Sequence, residues 1–389
     1  MKLTKLMLSA SIAALALVSC NKQDTTPTPT SNRLKSIEIS LENVVFTKGL
    51  AGNPVSHNQK ITVKNFQIFL TDAAGNDYSA KTANGAEAAQ SYWTTEQLAS
   101  GLPVDASFHY VDPNCTKIVA VANLNQPYAS YSELKDALAN DPVAIDLQQN
   151  QNELALYDES TEFVLTTSHN DLASDGTTYM QEAYRVELVL KPRISRFEVD
   201  GFSVIPEDPT APKYNQIKVT QLAFQNYYPT VNLFTGEEGG ELVTPILDFS
   251  NQAAVYTWLD TPWTGDLWYR DAFELTLTSS NDYLQDLPAN NKLAYHAFSG
   301  SEVPVFVIKL EVDGQPAYLY TKNLTDTSTG ESLKALEEGK IYRMSGEGEI
   351  PGNKGTIEIP ENKIDPMDRC LDIKVDVSSW EVVLVQPEF

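Results

Sequence analysis

Cysteine and histidine are scarce in this sequence, three and four respectively among 389 residues. His57, His109, His169 and His296 lie far apart, so no two share a metal-ligand spacing. No GxSxG elbow, HExxH pair, P-loop or GxGxxG turn occurs. Cys115, in 112-DPNCTK-117, is a conceivable nucleophile, yet no histidine is suggestively placed for it. The loop 170-NDLASDG-176 carries two aspartates but lacks the regular register of a calcium loop. These absences leave no catalytic, cofactor or metal residue to name, and the expectation is a protein that is not an enzyme.

Positive charge is scarce too. With 28 Lys and Arg against 52 Asp and Glu, the formal net charge is −24. Such a balance argues against nucleic acid and against electrostatic docking on anionic lipid, and is read first as solubility. Long apolar runs are confined to the N-terminus. There 1-MKLTKLMLSASIAALALVSC-20 has a basic start, an apolar stretch and a small-residue end, as a secretory signal does. Its last four residues, Leu17 to Cys20, match a bacterial lipobox, which implies a diacylated Cys20 at the mature N-terminus. The Thr/Pro-rich stretch 21–33 suits a flexible tether. Only Cys115 and Cys370 then remain; export permits a disulfide, but their spacing gives no sign of one.

Helix signals are few. 131-YSELKDALA-139 has Leu134, Ala137 and Leu138 on one face after Ser132, and 331-ESLKALEEG-339 ends on Gly339. Strand signals dominate. 36-SIEISLENVVF-46 and 60-KITVKNFQIFLTD-72 alternate, and 117-KIVAVANL-124 is apolar enough for a strand covered on both faces. Further runs cover 161–168, 184–199, 217–228, 272–280, 303–321 and 340–350, with a hairpin expected at Asp313-Gly314. The fold class expected is all-β with short helices in the loops. At this length two domains are natural, 49–192 and 193–389, with Pro192 and Arg193 near the boundary. Trp258, Trp263 and Trp268, with 93-WTTEQL-98 second, are the best candidates for a carbohydrate platform, although aromatics in β proteins more often pack across strands.

The two ends are both strand-like. Ile37, Ile39, Leu41 and Val45 form one apolar face near the start. The ending 371-LDIKVDVSSWEVVLVQPEF-389 alternates through Leu371, Ile373, Val375 and Val377, then Trp380, Val382 and Leu384. Between the first strand and the body lies a Gly-containing loop with Lys48 before Gly49. Cleavage after Lys48 by a trypsin-like protease would leave segment 34–48 held without covalent linkage. Its departure would open a groove bordered by unpaired backbone groups, which a neighbour's terminal strand could fill. Such head-to-tail contacts do not close on themselves and build a filament.

The lipobox, 36-SIEISLENVVF-46, the basic residue before a small one, 117-KIVAVANLN-125, 338-EGKIYRM-344 and 370-CLDIKVDVSSWEVVLVQPEF-389 together resemble a Bacteroidetes fimbrillin, the shaft-subunit class of type V pili. The resemblance covers nearly the whole chain. It implies two transthyretin-like β-sandwich domains, export as an outer-membrane lipoprotein through Cys20, processing in the loop after the first strand, and polymerisation into a surface fimbria with other pilus subunits. In better-known members an arginine precedes the cut; here Lys48 and Gly49 occupy that place. Cutting at Arg33 would remove the tether and leave the first strand attached. Loss of everything through Lys48 removes six basic and three acidic residues, taking the net charge from −24 to −27. The donor is expected at Trp380, Val382 and Leu384, and a tip subunit would need none. The alternatives are a monomeric surface lipoprotein binding glycan or a host ligand, a tip or accessory subunit, or residues 371–389 pairing permanently within their own sheet.

Overall fold

Alternating β-branched and aromatic residues give the chain its strands, and a computed structural model shows how they pair. It describes residues 33–42, 44–47, 61–81, 89–94, 97, 106–148, 154–166, 181–261, 270–287, 293–345, 356–364, 369–379 and 382–385. Two sheets draw all their strands from before Arg193. One runs, neighbour by neighbour, β10 (Val164–Leu165), β11 (Gln181–Val189), β1 (Leu34–Glu42) and β6 (Ala106–Val111). The other runs β12 (Lys191–Pro192), β9 (Leu156–Ser160), β7 (Lys117–Ala122), β4 (Phe66–Thr71) and β5 (Tyr92–Trp93). Ile37 and Ile39 of the first sheet meet Ile68, Leu70 and Ile118 of the second in one core, as in a sandwich.

Two more sheets lie beyond Arg193. The larger runs β18 (Arg270–Thr278), β15 (Gln216–Gln225), β21 (Val305–Val312), β22 (Gln315–Asp326), β25 (Cys370–Ser379), β23 (Lys340–Ser345), β13 (Ile194–Val199) and β20 (Leu293–Phe298). The smaller runs β19 (Leu284–Asp286), β14 (Gly201–Ile205) and β24 (Thr356–Pro360). Phe197, Phe224, Phe306 and Tyr342 fill the space beneath the large sheet, with Phe197 and Phe306 edge to face at 5.4 Å. Two short ladders join distant segments: β17 (Glu238–Gly239), β16 (Thr230–Val231) and β8 (Val143–Ala144), and then β2 (Val44–Thr47), β26 (Val382–Val385) and β3 (Ile61–Thr62). The architecture is all-β, as the alternation predicts.

The run 117–124 is a strand buried on both faces. Ile118, Ala120 and Ala122 point into the sandwich, while Val119 and Val121 pack under helix α1 (Tyr131–Asn140) with Leu134 and Leu138. α1 starts one residue before Ser132, and its cap is Ser130, whose hydroxyl accepts from Glu133 N at 3.0 Å. Asp313 and Gly314 turn β21 into β22 with both φ positive, at 47° and 83°, the hairpin expected there.

Residues 331–339 are not a helix. Their backbone groups go elsewhere: Leu333 N to Leu324 O, Leu336 N to Gly300 O and Gly339 N to Ile194 O. Leu333 and Leu336 pack on the core individually, which mimics a helical spacing without forming a turn. A helix does form at α2 (Gln252–Asp260), where Val255 and Leu259 pack on Ala223, Val307 and Tyr318 outside the large sheet.

Candidate assembly site: the seat of the first strand

β1 sits inside its sheet. It runs parallel to β11 from Leu34 opposite Gln181 to Glu42 opposite Val189, and antiparallel to β6, with Ile37 opposite Phe108 and Ile39 opposite Ala106. Alternation decides the two faces. Ile37 and Ile39 are 0% and 1% exposed, beside the equally buried Val186 and Leu188 of β11. On the outer face Glu38 pairs with Arg185 at 3.4 Å, a half-exposed ion pair worth little. Burying the two isoleucines contributes about 3–6 kcal/mol gross.

The entry of β1 is pinned by polar contacts. Lys35 Nζ donates to the carbonyl of Cys115 at 2.6 Å and lies 4.8 Å from the Phe163 ring centre and 5.6 Å from that of Tyr184. Burial lowers the Lys35 pKa, while Cys115, Glu182 and Asp112 pull it back up. Ser36 Oγ lies 3.2 Å from His109 Nδ1, both residues buried. One extra residue of β6 bulges between the partners of Lys35 and Ile37, with Tyr110 at φ 56°. The Gln181 side chain accepts from the Tyr110 N–H at 2.6 Å.

Past Glu42, one residue, Asn43, leads to β2. This strand runs parallel to β26, with Val44, Val45, Phe46 and Thr47 opposite Val382, Val383, Leu384 and Val385. On its other side β26 pairs in parallel with β3 through Ile61 and Thr62. The C-terminal strand therefore lies on its own chain, between the segment before Lys48 and the segment after it. Asn123 fixes β3 from behind: its amide donates to Thr62 O at 2.8 Å and Leu154 O at 2.9 Å and accepts from Lys64 N at 2.7 Å.

Of the residues singled out from sequence, the structure brings Ile37 and Ile39 into the core, places Leu41 at the end of β1 opposite Leu188, and pairs Val45 with Val383 and Leu384 with Phe46. Cys20, Lys48, Gly49 and Trp380 lie outside the described residues, as do Asp171, Asp175, Trp263 and Trp268. Trp258 is partly buried against the α2 cluster rather than offered as a free ring. Cys115 and Cys370 are both free thiols, and burial pushes the Cys115 thiol up to about 12, which makes it a poor nucleophile. Lys35, Ser36, His109 and Gln181 are contributions that alternation alone did not single out.

A cleft of about 490 Å³ beside α1 is lined by Asn65, Asn123, Gln126, Tyr128 and Leu147. Two of its amides are engaged with backbone: besides the Asn123 contacts, Asn65 donates to Leu124 O at 2.9 Å. No group of three metal-binding side chains occurs among the described residues, and none of their helices is long and apolar enough to cross a membrane.

No protein-family model and no curated protein matches the chain. Its structural neighbours among solved structures include fimbrilins and proteins assigned to cell adhesion. One such adhesion protein, from Parabacteroides distasonis, is 13% identical with a TM-score of 0.46, over 90% of this chain and 98% of that one. The fimbrilin FimA of Porphyromonas gingivalis W83 is 12% identical with a TM-score of 0.43, over 91% and 99%. The tip fimbrial protein Mfa3 of Porphyromonas gingivalis is 8% identical with a TM-score of 0.38, over 89% and 99%.

Proposed function

We propose that this chain is a structural subunit of a cell-surface fimbria, assembled by protease-triggered strand exchange and supporting adhesion rather than catalysis. The observation that carries it is the seat of β1: a strand with neighbours on both sides, joined to the rest of the body through the connection that contains Lys48. Cleavage between Lys48 and Gly49 leaves segment 34–48 without a covalent link to the body; among the described contacts, ladder hydrogen bonds, two buried isoleucines, the Lys35 and Ser36 contacts and the Glu38–Arg185 ion pair hold it. Its loss exposes the facing edges of β11 and β6, and open edges pair readily with another strand.

The occupant is the ending of a second copy, through Trp380, Val382 and Leu384. Export as a lipoprotein on Cys20 precedes this, with residues 21–33 as tether and two bodies, 49–192 and 193–389, as the filament's repeating mass. Each subunit accepts at one end and donates at the other, so growth is head to tail.

Deleting residues 380–389 tests the donor. The account requires a chain that still folds, is still cut, and forms no polymer. Polymerisation at the wild-type rate would remove the C-terminal strand from the mechanism.

A further inference from the structure

We infer that segment 34–47 keeps both ends of the subunit out of assembly at once, with β1 filling the groove and β2 covering the C-terminal strand. The inference rests on the strand-exchange account above and adds a reason why the uncut chain neither accepts nor donates. Only Asn43 stands between Glu42 of β1 and Val44 of β2, so whatever removes one removes the other. β26 has β2 along its whole length, from Val382 to Val385, whereas β3 meets it only at Val382 and Val383.

The position of Lys48 then matters. It follows directly on Thr47, so a cut there falls between the two neighbours of β26. β2 departs with the segment. β3 stays, held through Asn123 to Thr62, Lys64 and Leu154. The C-terminal strand becomes an edge with one row of open backbone groups and a two-residue ladder to β3, and parallel pairing is the weaker kind per residue. One cleavage thus creates an empty groove and a releasable donor in the same molecule. An uncut subunit with a free donor would cap a growing filament, because its own groove stays closed. Covering the donor prevents that.

Capping is the test, using full chains throughout. Val45→Pro with Phe46→Pro removes two consecutive N–H groups of β2, one of which must face β26, and leaves β1 untouched. Added uncut to cut wild-type chain at equal concentration, this variant should shorten the filaments several-fold. Uncut wild type should leave their length unchanged. Equal shortening by uncut wild type would overturn the inference while the strand-exchange account stands, and so would no shortening by either. If cut wild-type chain forms no filament, the strand-exchange account itself fails and this inference with it. Retained amide protection in β6 and β11 establishes that the variant's groove is closed. Should the variant not fold, Val45→Cys with Val383→Cys, opposite each other in the ladder, gives the second arm. Its cut, oxidised form should not assemble until reductant is added; assembly in the oxidised form would contradict the inference.

Discussion

Lys35 Nζ donates to the carbonyl oxygen of Cys115 at 2.6 Å, tying the entry of the first strand to the turn before β7. The Cys115 side chain is 0% exposed and belongs to the same core as Ile37 and Ile39. Its chemistry is therefore coupled to whether the first strand is in place.

Thiol labelling should report that directly. In a chain with Cys20 and Cys370 replaced by serine, Cys115 should resist a maleimide while the first strand is seated. Burial holds its pKa at about 12, so at pH 8 its thiolate fraction is about a thousandfold below that of an ordinary cysteine. Loss of segment 34–48 should bring labelling to near-normal rates. Mass spectrometry of the labelled cysteine before and after cutting reads the change, and a rate that stays low after the segment has gone would contradict the seat described here.

Ile39 anchors the middle of β1, 1% exposed and in register with Val186. Ile39→Ala should lower the stability of the intact chain by about 2–5 kcal/mol, the usual cost of such a core deletion. In the cut chain the same change should hasten loss of the segment. Urea midpoints and the rate at which the segment appears free on a sizing column check the two effects.

His296 gives a pH signature. Its Nε2 lies 3.0 Å from Arg196 NH1 and its Nδ1 lies 2.7 Å from Gln148 O, while Arg196 Nε donates to Glu198 at 2.7 Å. Burial and then the Arg196 charge hold the imidazole pKa down at about 3, against an ordinary 6.5. Between those values the unfolded chain binds a proton that the folded chain refuses. This residue therefore contributes a loss of stability as pH falls from about 6.5 towards 3, with a slope approaching about 1.4 kcal/mol per pH unit. Carboxylates titrate in the same window, so the readout is the difference between wild type and His296→Gln, whose profile should be flatter.

Ser130 caps α1, and Glu133 reaches back to Ala129 N at 2.7 Å. Ser130→Ala should cost about 1 kcal/mol in thermal or urea unfolding, as loss of an N-cap does.

Much of this architecture was legible in local pattern. Ile37 and Ile39 announced a half-buried strand by period two, and Asp313-Gly314 announced a hairpin because both positions accept positive φ. What was not legible depended on distance along the chain. Val45 and Val383 pair across more than three hundred residues, and nothing in either segment names the other. Leu333 and Leu336 carried helical spacing, but tertiary backbone partners such as Leu324 O and Gly300 O outbid the helix. The nine residues of α2 had only Asn251 as a start signal, its side chain accepting from Ala254 N at 3.2 Å, and owe their helix to packing on the sheet. Lys35 counted in the sequence only as one of the basic residues of the segment ending at Lys48; its place between Phe163, Tyr184 and Cys115 needed three-dimensional proximity.

The central claim is that one cut frees the first strand and allows assembly. Limited trypsin digestion of the purified mature chain, followed by N-terminal sequencing and native electrophoresis, tests it most directly, with Lys48→Ala as control. A new N-terminus at Gly49, a ladder of oligomers, and neither in the Lys48→Ala chain is the outcome the account predicts. Cleavage at Gly49 with a persistent monomer would contradict it, leaving a surface protein whose first strand stays in place or whose last strand is no donor.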